Sequence, residues 1–152
     1  MSDKEIINRT RASMQDRARY FACLYRSFAT ALPPEEVERL AREAIQEYGR
    51  IRAERDGKKI SAEEWVDIHF SQMGGVFESA IEKYEDRCEQ RMTYCPLLEE
   101  WKQMGCSPEE QDLFCDIAME LDRSRAAAHG IPCEIRERLG KGDEFCRVVL
   151  GK

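Results

Sequence analysis

No apolar run in this 152-residue sequence approaches the ~20 residues that a membrane-spanning helix needs. The charged start, Met1 to Arg11, leaves no room for the apolar core of a secretory signal. The chain therefore reads as cytoplasmic, with no membrane partner. Basic charge is not in excess: 24 Lys and Arg stand against 30 Asp and Glu, a formal net charge of -6. A domain that grips nucleic acid would normally present a clustered basic face, so nucleic acid is not an expected partner. The basic residues of Arg50 to Lys59 are interleaved with Glu54 and Asp56 and suit a solvated helix end. Histidine is scarce, with only His69 and His129, each read as a surface or capping residue. The seven cysteines show no CxxC, CxxH or HExxH spacing, which excludes ribbon-type zinc sites and thioredoxin-type motifs. Their odd number, without an export signal, fits reduced thiols better than a disulfide framework. Internal repeats, low-complexity tracts and domain linkers are also missing.

What is present suits one globular domain, residues 1–152, since 42% hydrophobic and 36% charged side chains can build a single sizeable core. Met14, Ala18, Phe21, Ala22, Tyr25, Phe28, Ala29 and Leu32 form one helical stripe that stops at Pro33-Pro34. Val37, Leu40, Ala41, Ala44, Ile45, Tyr48 and Ile51 form a second, opened by Pro34, Glu35 and Glu36. A third begins at the capping box Ser61 to Glu64 and runs on through Val76, Phe77, Ala80 and Ile81, interrupted by Gly74-Gly75. Two adjacent glycines there point to close helix packing or to a ligand cradle, with packing the simpler reading.

From Arg87 to Tyr94 the period changes to two, which predicts a half-buried strand. A short helix then opens at Cys95-Pro96, and a longer one opens at Ser107-Pro108-Glu109-Glu110 and stops at Gly130 and Pro132. Strands at Cys133 to Leu139 and Glu144 to Leu150 flank the turn signal Gly140 to Asp143. The expected fold class is α+β: a helical region over 5–82, then a strand, a helix pair and a β-hairpin over 86–150. The helical N-terminal two thirds would pack on a small C-terminal three-stranded antiparallel sheet.

The candidate chemistry lies after residue 85. On the long helix, Leu113, Phe114, Ile117 and Leu121 form the apolar face and Asp116, Glu120 and Arg123 the solvated one. A third strip carries Cys115 and Asp122, so a thiol and a carboxylate share small or apolar neighbours, and such a carboxylate must be paired or shifted in pKa. Arg125 or Arg91 could anchor Asp122 structurally. Cys95 precedes Pro96 at a helix N-terminus, where unpaired amides and the helix dipole favour a thiolate. Cys146 alternates onto one face with Val148 and Leu150, and Cys133 onto one with Ile135 and Leu139; the usual pairing makes these faces coincide.

Tyr94-Cys95-Pro96, Gly105, Leu113-Phe114-Cys115, Asp122 and Gly142-Asp143-Glu144-Phe145-Cys146, taken in order and spacing, resemble the L-2-amino-thiazoline-4-carboxylic acid hydrolase family. The resemblance covers residues 85–150 well and the first half loosely, around Tyr48-Gly49-Arg50. It implies water-driven opening of a cyclic isothiourea amino acid to a carbamoyl-cysteine product. In that chemistry Cys95 or Cys115 would be nucleophile or metal ligand, Asp122 general acid and base, with Cys146 beside them. A cation such as Arg91 or Arg147 would meet the substrate carboxylate. The partner implied is a small molecule; a homodimer is compatible with the sequence.

Two other classes fit the same residues. Cys95, Cys115 and Cys146 with Asp122 could converge on zinc, iron or an iron-sulfur cluster in a noncatalytic sensor, resembling the four-vinyl-reductase-type ligand-binding domains. Alternatively, every thiol is a packing residue in an interaction domain.

Overall fold

The computed structural model describes residues 1–152. Its elements run α1 (Asp3–Ala29), α2 (Pro34–Arg55), α3 (Ala62–Phe77), β1 (Ser79–Lys83), β2 (Arg87–Met92), α4 (Pro96–Gln103), α5 (Pro108–Ala118), α6 (Glu120–Ala128), β3 (Cys133–Glu137) and β4 (Cys146–Gly151). A short 3-10 turn, Leu139–Lys141, joins the last two strands. The α+β class holds, but the sheet has four antiparallel strands in the order β1-β2-β4-β3, not three.

The extra strand is the segment whose Ala80 and Ile81 continue the helical spacing of α3. The helix ends instead at Glu78, which takes the left-handed conformation at φ 51 without being a glycine. Residues 79–83 then turn back to pair with β2, Ser79 opposite Met92 and Lys83 opposite Cys88. Gly74 and Gly75 do not interrupt α3. A Cβ on Gly75 would lie 2.7 Å from Ile7 Cδ1, so Gly75 serves close packing of α3 against α1, while a Cβ on Gly74 would press on Phe70 of the same helix.

The capping boxes at Ser61 and Ser107 both form, each hydroxyl accepting from the glutamate amide three residues on. The helix begun at Ser107 is broken at Met119 into α5 and α6. The side of that pair read as solvated is largely covered by α2: Arg42 meets Asp116 at 2.8 Å and Glu120 at 3.0 Å, and Arg123 bridges the same two carboxylates at 2.6 and 3.1 Å. Gly49 permits this approach, because a Cβ there would sit 1.7 Å from Ser124 Oγ and 2.8 Å from the Leu121 carbonyl oxygen.

Two apolar clusters result. One fills the space between α3, α6 and the inner sheet face, where Cys88, Met92, Cys146, Val148 and Leu150 meet Trp65 and Val66. The other joins α1, α4 and α5 through Ala18, Ala22, Leu98, Trp101 and Phe114. Phe114 makes edge contacts with Phe21, Tyr25 and Trp101 at centroid distances of 5.3, 5.0 and 5.5 Å. Cys115 and Leu139 lie where the two clusters approach each other.

Both histidines are more enclosed than the sequence suggests. His129 is the α6 C-cap and is buried: Nδ1 accepts from the Ile60 amide, and Nε2 lies 2.7 Å from Asp56 Oδ2. His69 is half-buried against Phe77 with Nε2 2.8 Å from Ser79 Oγ, and burial lowers its pKa to about 4, which keeps it neutral. No helix is long and apolar enough to cross a membrane.

Candidate active site

The β3–β4 connection presents two backbone amides to two sulfurs. Asp143 closes the loop: its carboxylate accepts the Arg138 amide at 2.9 Å, and its own amide donates to the Arg138 carbonyl at 3.2 Å. Gly142 absorbs the reversal at φ 102, a conformation that favours glycine. The chain between them then points the Leu139 N–H at Cys146 Sγ, 3.3 Å away, and the Gly140 N–H at Cys115. Gly140 has no room for a side chain, since a Cβ would fall 2.3 Å from Cys115 Cβ and 2.8 Å from its Sγ.

Three groups stabilise a negative charge on Cys115. The neighbouring Cys146 thiol has the largest influence, and with the Gly140 amide and the Arg138 guanidinium it outweighs burial and brings the Cys115 pKa down to about 7. Arg138 is held in place by Asp112 at 2.7 Å and Asp116 at 3.7 Å. Cys146 moves strongly the other way, because it neighbours Cys115 and is itself buried. The two thiols therefore titrate as a pair that shares one proton.

Cys95 adjoins this pair at the N-terminus of α4, as its proline neighbour indicates. The expectation that its thiolate forms easily is reversed. Burial dominates and pushes the pKa to about 11, with the nearby Cys115 adding to the rise and the amides of Leu98 and Leu97 only partly offsetting it. Cys133 sits on the same sheet face and is pushed up to about 12 by burial, with the Asp122 charge adding to the rise.

Asp122 has neither of the anchors the sequence offered. Arg125 bonds Asp56 instead, at 2.6 and 2.9 Å, and stacks over Trp65 at 4.4 Å. Desolvation therefore raises the Asp122 carboxyl to about 6, although part of its surface stays accessible. Cys95 has the same combination of partly accessible surface and strong desolvation. Asp122 does not touch the Cys115 thiol. What links the two ends of the site is Arg17 of α1, whose charge reaches both Cys95 and Asp122. Arg17 is exposed and its guanidinium has no carboxylate partner in the fold, unlike Arg19, which pairs with Glu100 at 2.7 Å.

Arg91 and Arg147 lie elsewhere. They oppose each other across β2 and β4 on the outer sheet face, while the next pair, Met92 and Cys146, faces inward. Both guanidiniums stack on Phe145, at 4.4 and 5.9 Å, and Arg147 also pairs with Glu137. The inner face also carries Gln90, which is 2% exposed and whose Oε1 has no hydrogen-bond partner. It is a spare acceptor beside Val148, on the face that carries Cys146.

Although Cys95, Cys115 and Cys146 converge, no group of three or more His, Cys, Asp and Glu side chains has the arrangement of a metal site. The chemistry available is that of a stabilised thiolate, a neighbouring thiol, a carboxyl poised near neutrality and a free cation.

No curated protein sequence matches the chain significantly. The family model described as L-2-amino-thiazoline-4-carboxylic acid hydrolase matches residues 13–150, which extends the resemblance of the C-terminal half across α1 and α2, where Arg17 and Gly49 lie. Because that match spans nearly the whole chain, the chain belongs to the L-2-amino-thiazoline-4-carboxylic acid hydrolase family.

Proposed function

We propose that the protein hydrolyses a small cyclic isothiourea or amide-like acid by nucleophilic catalysis, with Cys115 as the attacking group. The observation that carries this reading is the Cys115 environment: a buried thiol packed directly against the Gly140 backbone, with Cys146 and Arg138 beside it, and a pKa lowered towards neutral pH. A packing cysteine requires no such lowering.

For 2-amino-thiazoline-4-carboxylate the steps balance as follows. The Cys115 thiolate adds to the amidine carbon. The bond from that carbon to the ring nitrogen breaks, and protonated Asp122 delivers a proton to the departing nitrogen. Water then attacks the resulting thioimidate carbon while the Asp122 carboxylate takes its proton. Loss of the Cys115 thiolate leaves the carbamoyl product, and the net change is addition of one water. The substrate carboxylate is met by Arg17, a role for which Arg91 and Arg147 stand on the wrong face of the sheet.

Turnover of this ring and of related hydantoins and thiazolines, measured for the wild type and for Cys115→Ala, tests the proposal. Since Cys115 must be ionised and Asp122 protonated, kcat/KM should follow a bell with its maximum between about 6 and about 7. The alanine variant should lose at least ~100-fold. Full activity in Cys115→Ala contradicts the assignment.

A further inference from the structure

Between α1 and α2 runs an open cleft of about 590 Å³, within the size range of small-molecule sites. Arg17 is its only charged lining residue; the others are aliphatic or aromatic. The polar group of its largest inner side chain is already satisfied, because Trp101 Nε1 donates to the Ala18 carbonyl at 3.0 Å and leaves the indole ring as a plain apolar surface. Along α1 the lining runs from Arg17 through Leu24 to Phe28, about 16 Å at helical rise. Arg17 marks one end of that run. Leu97 and Leu121, which also line the cleft, are within two residues of Cys95 and Asp122 in the chain.

A polar ring acid bound at Arg17 would leave most of this volume unfilled, and apolar walls without partner atoms gain nothing from it. We infer that the cleft binds the apolar chain or ring of an amphiphilic carboxylate whose acid group is held by Arg17. Such a ligand complements the site in both respects: one anion for the one unpaired cation, and a hydrocarbon tail for the apolar channel. Applied to the reaction, which rests on the hydrolase reading, this makes the preferred substrate a ring acid carrying an apolar substituent.

Calorimetric titration of the intact protein with hexanoate, octanoate and decanoate below their micellar concentrations, and with octanol, tests the site without turnover. Affinity should rise about threefold to fourfold per added methylene. Arg17→Met should weaken octanoate roughly tenfold and leave octanol unchanged. Ala44→Trp, an exposed position on the cleft wall, should weaken both. Affinity independent of chain length, or insensitivity of octanoate to Arg17→Met, overturns the inference. So does sedimentation showing a dimer that Ala44→Trp dissociates while no acid binds, since a second copy would then cover the cleft. Chain-dependent binding without any ring opening would contradict the hydrolase reading alone, and ring opening without chain-dependent binding would contradict the cleft assignment alone.

Discussion

Replacing Asp122 by asparagine removes a charge that the folded state holds at a cost. With its carboxyl raised from an ordinary value near 3.8 to about 6 by burial, keeping it ionised at neutral pH costs the fold about 3 kcal/mol. Asp122 also lies in the first turn of α6, where a negative charge interacts favourably with the helix dipole. That interaction returns at most about 1 kcal/mol and is a smaller effect than the desolvation. Asp122→Asn should therefore stabilise the protein at pH 7 by roughly 2 to 3 kcal/mol, or about 4–12 °C in Tm for a chain of this size. The sign follows from proton binding. Between about pH 4 and pH 6 the folded wild type holds a proton that the unfolded chain releases, so wild-type stability falls as pH rises through that window. Asparagine does not titrate, so the gap between the two proteins should be near zero below pH ~4 and full above pH ~6. Urea unfolding at several pH values reads this directly, and the same variant should lose ring-opening activity, a trade of function against stability. If Asp122→Asn is less stable than the wild type at pH 7, the carboxylate has a structural partner and the reasoning fails.

Three further outcomes follow from the geometry. Gly140→Ala should destabilise by about 1–3 kcal/mol in thermal unfolding, because its Cβ must displace Cys115 and the Gln111 carbonyl, 2.9 Å away, or move the turn. Cys146→Ala deletes the largest influence on the Cys115 pKa, so the Cys115 thiol should titrate closer to the ordinary value near ~8.5, followed by the pH dependence of iodoacetamide labelling. Gly49→Ala should cost a similar 1–3 kcal/mol by separating α2 from α6, whereas the same change combined with Ser124→Gly should recover part of the loss, a double-mutant cycle that isolates the contact.

Much of the architecture is legible in local patterns. The stripes of α1 and α2, the two serine capping boxes, the proline openings of α4 and α5 and the glycine-rich reversal before β4 all state their structure within a few residues. What is not legible depends on partners distant in sequence or on a stop without a signal. The end of α3 at Glu78 uses a left-handed glutamate with no glycine or proline to announce it, so Ala80 and Ile81 extend the helical spacing by coincidence. The break at Met119 is equally unmarked. At the site, Cys115, Cys146 and Asp122 stand out by type and strip, but their ranking does not. Cys95 has the favourable local setting and loses it to burial, while Cys115 gains its stabilisation from Gly140, Arg138 and Cys146, each more than twenty residues away. Arg17 lies on a polar face of α1 that resembles any solvated helix surface, and only the packing of α1 beside α4 gives it a role.

The most direct test of the account is the pH dependence of thiol alkylation, mapped to each cysteine by mass spectrometry, with exposed Cys23 as the reference for reagent access. Cys115 should label with a midpoint near 7 while Cys95 and Cys146 remain protonated and slow to label well above that pH. Labelling of Cys95 ahead of Cys115, or a Cys115 midpoint at or above the ordinary thiol value, would contradict the assignment of Cys115 as the nucleophile.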